Sequence, residues 1–191
     1  MLYKHFADIF AEKKGSSMFA VNDKVVHSGY GICRVRSIGI FGFLGHQNMC
    51  YVLTPLFDDG YGTTYYVPVE QNECLREPLS REQILAMIDE MPKIPPKNMD
   101  LYGSRTQDLN DIRTAYQALM DSGSVTDRII LLKTIYTKSQ KLSAQRKRIS
   151  EFESHARDFC ERMLYGEIAG VMDIPVNHVE QFITRRIEGK N

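Results

Sequence analysis

The stretch VVHSGYGICRV, Val25 to Val35, places a base and a thiol, His27 and Cys33, on either side of a two-glycine turn. A thiolate nucleophile and its general base would need these residue types close together. No third group is evident to orient the imidazole and no oxyanion-binding element follows. The competing reading is a cysteine buried as a small apolar residue, and no enzymatic activity is expected. Gly29 and Gly31 lack both the third glycine of a dinucleotide fingerprint and the Lys-Ser/Thr pair of a phosphate loop. They imply a bend instead, with Gly29 in a conformation closed to other residues or Gly31 permitting close strand approach. His5, His27, His46, His155 and His178 stand singly, and Cys33, Cys50, Cys74 and Cys160 are too far apart for a zinc knuckle or a redox pair. Neither a metal nor a cofactor is expected.

Charge gives a stronger signal. Lys plus Arg and Asp plus Glu both total 24, so net charge favours no partner. Between Arg128 and Arg148, however, stand Arg128, Lys133, Lys138, Lys141, Arg146, Lys147 and Arg148 with no acidic residue. Such a patch suits phosphate; a solvated helix face is the alternative. A second cluster, Phe41, Phe43, Tyr65 and Tyr66, lies in strand-like sequence. It reads either as packing around a small core or as a protein-binding edge.

The elements that must position these groups change character along the chain. From Phe19 to about Leu75, pieces rich in Val, Ile, Tyr, Phe and Thr alternate with Gly, Asn and Asp clusters, predicting a strongly bent sheet of four or five strands. Barrel closure would remove its edges. Ser80 and Gln83 form a capping box opening a helix that Pro92 stops, and KIPPKNMDLYGS reads as a hinge. Helical periodicity follows over Thr106 to Met120 and over Ser124 to Ser139, the latter capped by Ser124. A third helix is expected from Ser143 to about Tyr165, interrupted by Gly166. Two short helices, Glu167 to Met172 and Val176 to Arg186, would complete a bundle with a capping hairpin. The predicted division is residues 1–17 as an extension that is disordered or an artefact of the start, 18–75 as the small β domain, 76–103 as a connecting helix and linker, and 104–191 as an all-helical domain. No stretch approaches the ~18 apolar residues of a membrane span, and no secretory leader precedes the cysteines, so an intracellular protein is expected.

The blocks FAVNDKVVHSGYGICRVRSIG, YVLTPLF and TYYVPVEQNECLR, followed by LMDSGSVTDRIILLKTIYTKSQKLSAQRKRI, resemble in that order the CarD/CdnL family of bacterial transcription regulators. That resemblance implies a Tudor-like barrel binding the β subunit of RNA polymerase, and a helical domain contacting promoter double-stranded DNA near the melted region. It implies no enzymatic activity, cofactor or small-molecule substrate, and a cytoplasmic location. Carried onto this chain, the polymerase-facing set is Phe41, Phe43, Tyr65 and Tyr66; Phe41 and Tyr66 stand where well-studied members carry arginines. The DNA-facing set is Leu109, Arg113, Lys138, Lys141, Arg146, Lys147 and Arg148. Leu109 falls at about the place of the family's tryptophan wedge, a residue type this chain lacks entirely.

Overall fold

The computed structural model describes residues 19–43, 46–57, 62–97 and 106–189. Five strands, β1 (Lys24–His27), β2 (Gly31–Phe43), β3 (His46–Pro55), β4 (Tyr65–Pro68) and β5 (Leu75–Arg76), form one antiparallel sheet in the order β4-β3-β2-β1-β5. Among the described residues no ladder joins β4 to β5, so the expected barrel is, in its hydrogen bonding, an open sheet. Five α-helices follow among the described residues: α1 (Arg81–Glu90), α2 (Thr106–Asp121), α3 (Val125–Ala144), α4 (Glu151–Met172) and α5 (Val179–Ile187).

The turn between β1 and β2 is closed by His27, whose Nδ1 accepts the backbone N–H groups of Gly29 at 3.0 Å and Tyr30 at 3.3 Å. Gly31, not Gly29, takes the left-handed conformation, with φ of 82°. A Cβ there would meet Met163 Sδ at an ordinary 3.5 Å, so it is the backbone conformation, not close approach, that calls for glycine at position 31. Alternation along the strands then sends Val25, Cys33, Val35, Tyr51 and Leu53 into a core shared with Phe19, Val67 and Leu75. Val26 and Ile32, directly paired across β1 and β2, are also buried, and Ile32 lies against α4. An Arg36 bulge between Val35 and Ser37 bends β2.

Ser80 caps α1 in a complete capping box with Gln83, and Ser124 caps α3 by accepting the Asp127 N–H, as the sequence predicts. The helix of the connecting segment is part of the helical core: Ile84, Met87 and Ile88, with Met91 and Ile94, belong to one buried cluster with residues of α2, α3 and α4. Lys133 of α3 ties this segment down by donating to the carbonyls of Met91 (3.0 Å) and Ile94.

The third long helix differs from expectation at both ends. Ser143 lies in the last turn of α3; Ser150 caps α4 through a capping box with Glu153. Gly166 does not interrupt α4, which continues to Met172 and ends at Asp173 in a left-handed conformation. Glycine in a helix interior costs about 1 kcal/mol against alanine; at Gly170, though not at Gly166, the sheet explains it. A Cβ on Gly166 would lie 3.7 Å from Ile32 Cγ2, and one on Gly170 only 2.6 Å from Ile32 Cδ1. Gly170 lets Ile32 of β2 press against α4.

Polar contacts reinforce this apposition. Arg76 of β5 donates from Nη1 and Nη2 to both carboxylate oxygens of Glu167 at 2.7 and 2.6 Å, and Glu167 Oε1 also accepts the Leu79 N–H at 2.9 Å. Lys24 of β1 donates to the Gly170 carbonyl at 2.7 Å and to Asp173 Oδ1 at 3.1 Å. At the far end, α5 buries Val179 and rests on α1, with Arg186 bidentate to Asp89 at 2.7 and 2.6 Å. Arg186 thus pins α5 to α1, but the expected hairpin of two short helices is not formed, because Glu167–Met172 is the end of α4. No helix among the described residues is long and apolar enough to cross a membrane.

Candidate functional site

The aromatic cluster divides between two places. Phe41 and Tyr66 meet edge to face, ring centroids 4.9 Å apart; Phe41 is half-buried and Tyr66 is 45 % exposed. Tyr65 instead stacks flat on Tyr30 at 3.5 Å, and Tyr30 on His27 at 4.2 Å. Register explains the split: Tyr65 pairs with the core residue Leu53, whereas Tyr66 pairs with Val52, and neighbours in a strand face opposite ways. Tyr65 therefore leans on the sheet core. Phe43 belongs to β2, but its side chain lies outside the described residues.

Two residues not anticipated are apolar and exposed on the opposite face of the same hairpin. Ile40 and Met49 are cross-strand partners in β2 and β3 and are 65 % and 52 % exposed. They sit two positions beyond Ile38 and Tyr51, past the point where the sheet core ends. The sequence signal was present, since Ile40 is an apolar residue alternating with Phe41, but alternation alone does not say where a core stops. The end of the β2–β3 hairpin thus offers apolar side chains beside β4, the last strand in the sheet order. Such a surface is chemically suited to another protein.

The basic interval separates more sharply. Arg128 is buried at 3 % exposure within α3, near Glu167 and Arg76, and burial pulls its guanidinium below its ordinary value. Lys133 is spent on carbonyls, and burial lowers it too. Lys138 pairs with the buried carboxylate of Glu153 at 2.5 Å. Burial pushes the Glu153 carboxyl up, but hydrogen bonds from Lys138 and from the Ser150 N–H and hydroxyl outweigh it and hold the group below its usual range.

What remains outward lies at one turn. Arg146, Lys147 and Arg148 are exposed in the connection between α3 and α4, with Lys141 exposed on the preceding helical turn. Lys147 N–H donates to the Leu142 carbonyl and Arg146 N–H to that of Ser143, both at 2.9 Å, the paired bonds of a Schellman ending. Arg146 occupies its left-handed position with φ of 56°, where glycine is usual. Convergent cations on a tight turn can bind phosphate. Arg113, on α2, is exposed with its guanidinium 5.7 Å above the Phe152 ring. Leu109 lies in α2, with its side chain outside the described residues.

His27 and Cys33 play framework parts. The His27 Nδ1 is committed to the turn. Cys33 is fully buried, its thiol donates to the Gly31 carbonyl at 3.6 Å, and burial pushes that thiol up to about 12. Among the described residues no group of three or more His, Cys, Asp or Glu side chains could hold a metal ion.

No curated protein matches the chain. Residues 19–78 match the family model of the CarD-like/TRCF RID domain, covering all five strands and ending just after Arg76. A domain of this kind implies an interaction with RNA polymerase and a transcription-related role. The sheet that presents Phe41 and Tyr66 thus lies within a stretch, residues 19–78, that is similar to the CarD-like/TRCF RID domain.

Proposed function

We propose that this protein is a non-enzymatic transcription regulator, one that binds the β subunit of bacterial RNA polymerase through the Phe41–Tyr66 surface. The turn Arg146–Arg148, with Lys141, then contacts promoter double-stranded DNA near the melted region. The observation that carries the reading is the family match over residues 19–78, on a module joined directly to a helix whose start bears the cationic turn. Binding the open complex better than the closed one would shift their equilibrium by that difference in affinity alone. Contacts to phosphate would position the protein without reading sequence, and an apolar Leu109 could wedge a groove. The mechanism uses no cofactor or small-molecule substrate, and its setting is the bacterial cytoplasm.

The test is association with a polymerase–promoter complex carrying a pre-melted bubble, at two salt concentrations. Wild type is compared with a variant in which Arg146, Lys147 and Arg148 are neutralised. Loss of affinity together with a shallower salt dependence is expected; equal affinity and slope rule out this turn as the DNA contact. Phe41→Ala with Tyr66→Ala should weaken binding to polymerase alone, and undiminished binding would defeat the sheet surface.

A second reading has its own support. Arg128, Lys133 and Lys138 are engaged within the protein, leaving less positive surface than the sequence suggests. A docking module of a polymerase- or ribosome-type assembly, without promoter contact, would bind polymerase normally after the triple neutralisation.

A further inference from the structure

We infer that the joint between sheet and helices, centred on Arg76 and Glu167, is a positioning device. It holds the Phe41–Tyr66 surface and the Arg146–Arg148 turn in one fixed geometry, so that polymerase and DNA are met by a single rigid body. This rests on the function proposed above, because it needs both surfaces to be used.

One helix links the two surfaces. The 22 residues of α4 span about 33 Å at the helical rise. The basic turn immediately precedes its Ser150 cap, and the joint occupies its C-terminal half. Three strands grip that half at separate points: β2 through Gly31 at Met163 and Ile32 at Gly166 and Gly170, β5 through Arg76 at Glu167, and β1 through Lys24 at Gly170 and Asp173. Contacts from Met163 to Asp173 cover roughly 15 Å of the helix. Anchors spread over that length resist both rocking and rotation.

The chemistry of the central pair favours geometry over bare adhesion. Glu167 is 2 % exposed, and a charge so buried costs desolvation that an apolar residue of similar volume would avoid. In return, a bidentate guanidinium–carboxylate pair forms at one relative orientation only. Glu167 also holds the Leu79 N–H at 2.9 Å, fixing the chain where it leaves the sheet for α1. Arg128 of α3 is buried nearby, its Nε without a hydrogen-bond partner, so a slipped sheet would leave an unbalanced set of buried charges. The apolar contact adds a shape constraint, because Ile32 Cδ1 occupies the space where a Cβ on Gly170 would stand.

The experiment uses the full chain with Cys74→Ser and spin labels on cysteines introduced at Glu70 and Glu151, both exposed and outside the proposed contacts. Distance distributions are measured for the otherwise wild-type protein, for Glu167→Gln and for Gly170→Leu, which wedges the joint without removing charge. Arg76→Gln, at a 36 % exposed side chain, keeps the question answerable if Glu167→Gln fails to fold. A narrow distribution that broadens in the variants is expected. Their affinities for polymerase alone and for promoter DNA alone should stay within about twofold of wild type, while affinity for the assembled polymerase–promoter complex falls at least ~10-fold, the loss of a preset second contact. An unchanged distribution, or a broadened one with undiminished affinity for the assembled complex, overturns the inference. If the unmutated protein binds the assembled complex no better than polymerase alone, it is the two-partner function that fails.

Discussion

Ile32 of β2 lies so close over Gly170 of α4 that a Cβ on the glycine would stand 2.6 Å from its Cδ1. Four residues earlier, at Gly166, the same side chain leaves 3.7 Å. Two glycines one helical turn apart therefore face one isoleucine with different clearances, and substitution separates their roles.

Gly166→Ala should stabilise the protein by about 0.5–1 kcal/mol, because the helix gains propensity and the new methyl meets only ordinary contacts. Gly170→Ala should destabilise it by about 1 kcal/mol, since displacing Ile32 costs more than the propensity returns. Urea unfolding of both variants checks the opposite signs, and a gain at both positions would show that Ile32 moves aside freely.

At Arg146, a left-handed arginine closes α3. Replacement by glycine relieves a backbone cost of roughly 1–2 kcal/mol, offset in part by the greater freedom of the unfolded chain. Arg146→Gly should thus be more stable in denaturant while binding promoter complexes more weakly, with a log–log salt slope shallower by roughly 1. Stability and binding moving in opposite directions would separate a charge needed for binding from one needed for folding.

Glu153 supplies a pH dependence. Its carboxyl ionises below the usual range in the folded state, burial being outweighed by the hydrogen bonds from Lys138 and Ser150. The folded protein therefore binds this proton less readily than the unfolded chain. The resulting stability is fully present above the unfolded carboxylate value and is lost as pH falls through the depressed folded value. Wild type should lose stability across that acid window, while Glu153→Gln, less stable at neutral pH, should show a smaller loss there. Parallel profiles would mean that other carboxylates govern the acid limb.

His27 accepts two backbone hydrogen bonds at Nδ1, and burial lowers its tendency to protonate. The same sign applies, at higher pH: its contribution is present above the unfolded imidazole value and is lost as pH falls through the lowered folded one. His27→Phe preserves a ring against Tyr30 but abandons the two N–H groups, and should cost about 1–3 kcal/mol at neutral pH. Thermal unfolding of this variant across pH 5–8 should also show a flatter profile than wild type.

Much of the fold is written locally. Ser80–Gln83 marks the start of α1 and Ser124 that of α3, because capping depends on residues three apart. The start of α4 was equally open to reading: Ser150 and Glu153 have capping-box spacing, but Ser143 offers an earlier serine after an apolar residue. Gly166 was misleading for a different reason. One glycine costs a helix only about 1 kcal/mol, and the packing of α4 against the sheet and the other helices, set by residues far away in sequence, overrides that cost.

The candidate surfaces follow the same division. Seven cations between Arg128 and Arg148 are visible in the sequence, yet their fates depend on where acids and carbonyls from other elements arrive. Glu153 comes to Lys138, the end of α1 comes to Lys133, and the Arg76–Glu167 joint surrounds Arg128. Likewise, Phe41 and Tyr66 are adjacent aromatics only because β4 lies beside β3 in a register that puts Tyr66 opposite Val52.

By itself, the sequence determined which segments become strands and helices, where most of them begin, and that cations and aromatics would each gather locally. Short-range capping, alternation and turn chemistry suffice for that. Only the tertiary structure decided which charges stay outside, which aromatics meet, and that the sheet and α4 are joined through Arg76, Glu167 and Gly170. Those outcomes depend on long-range apposition, where a buried charge must find its partner and two backbones can approach only if one side chain is missing.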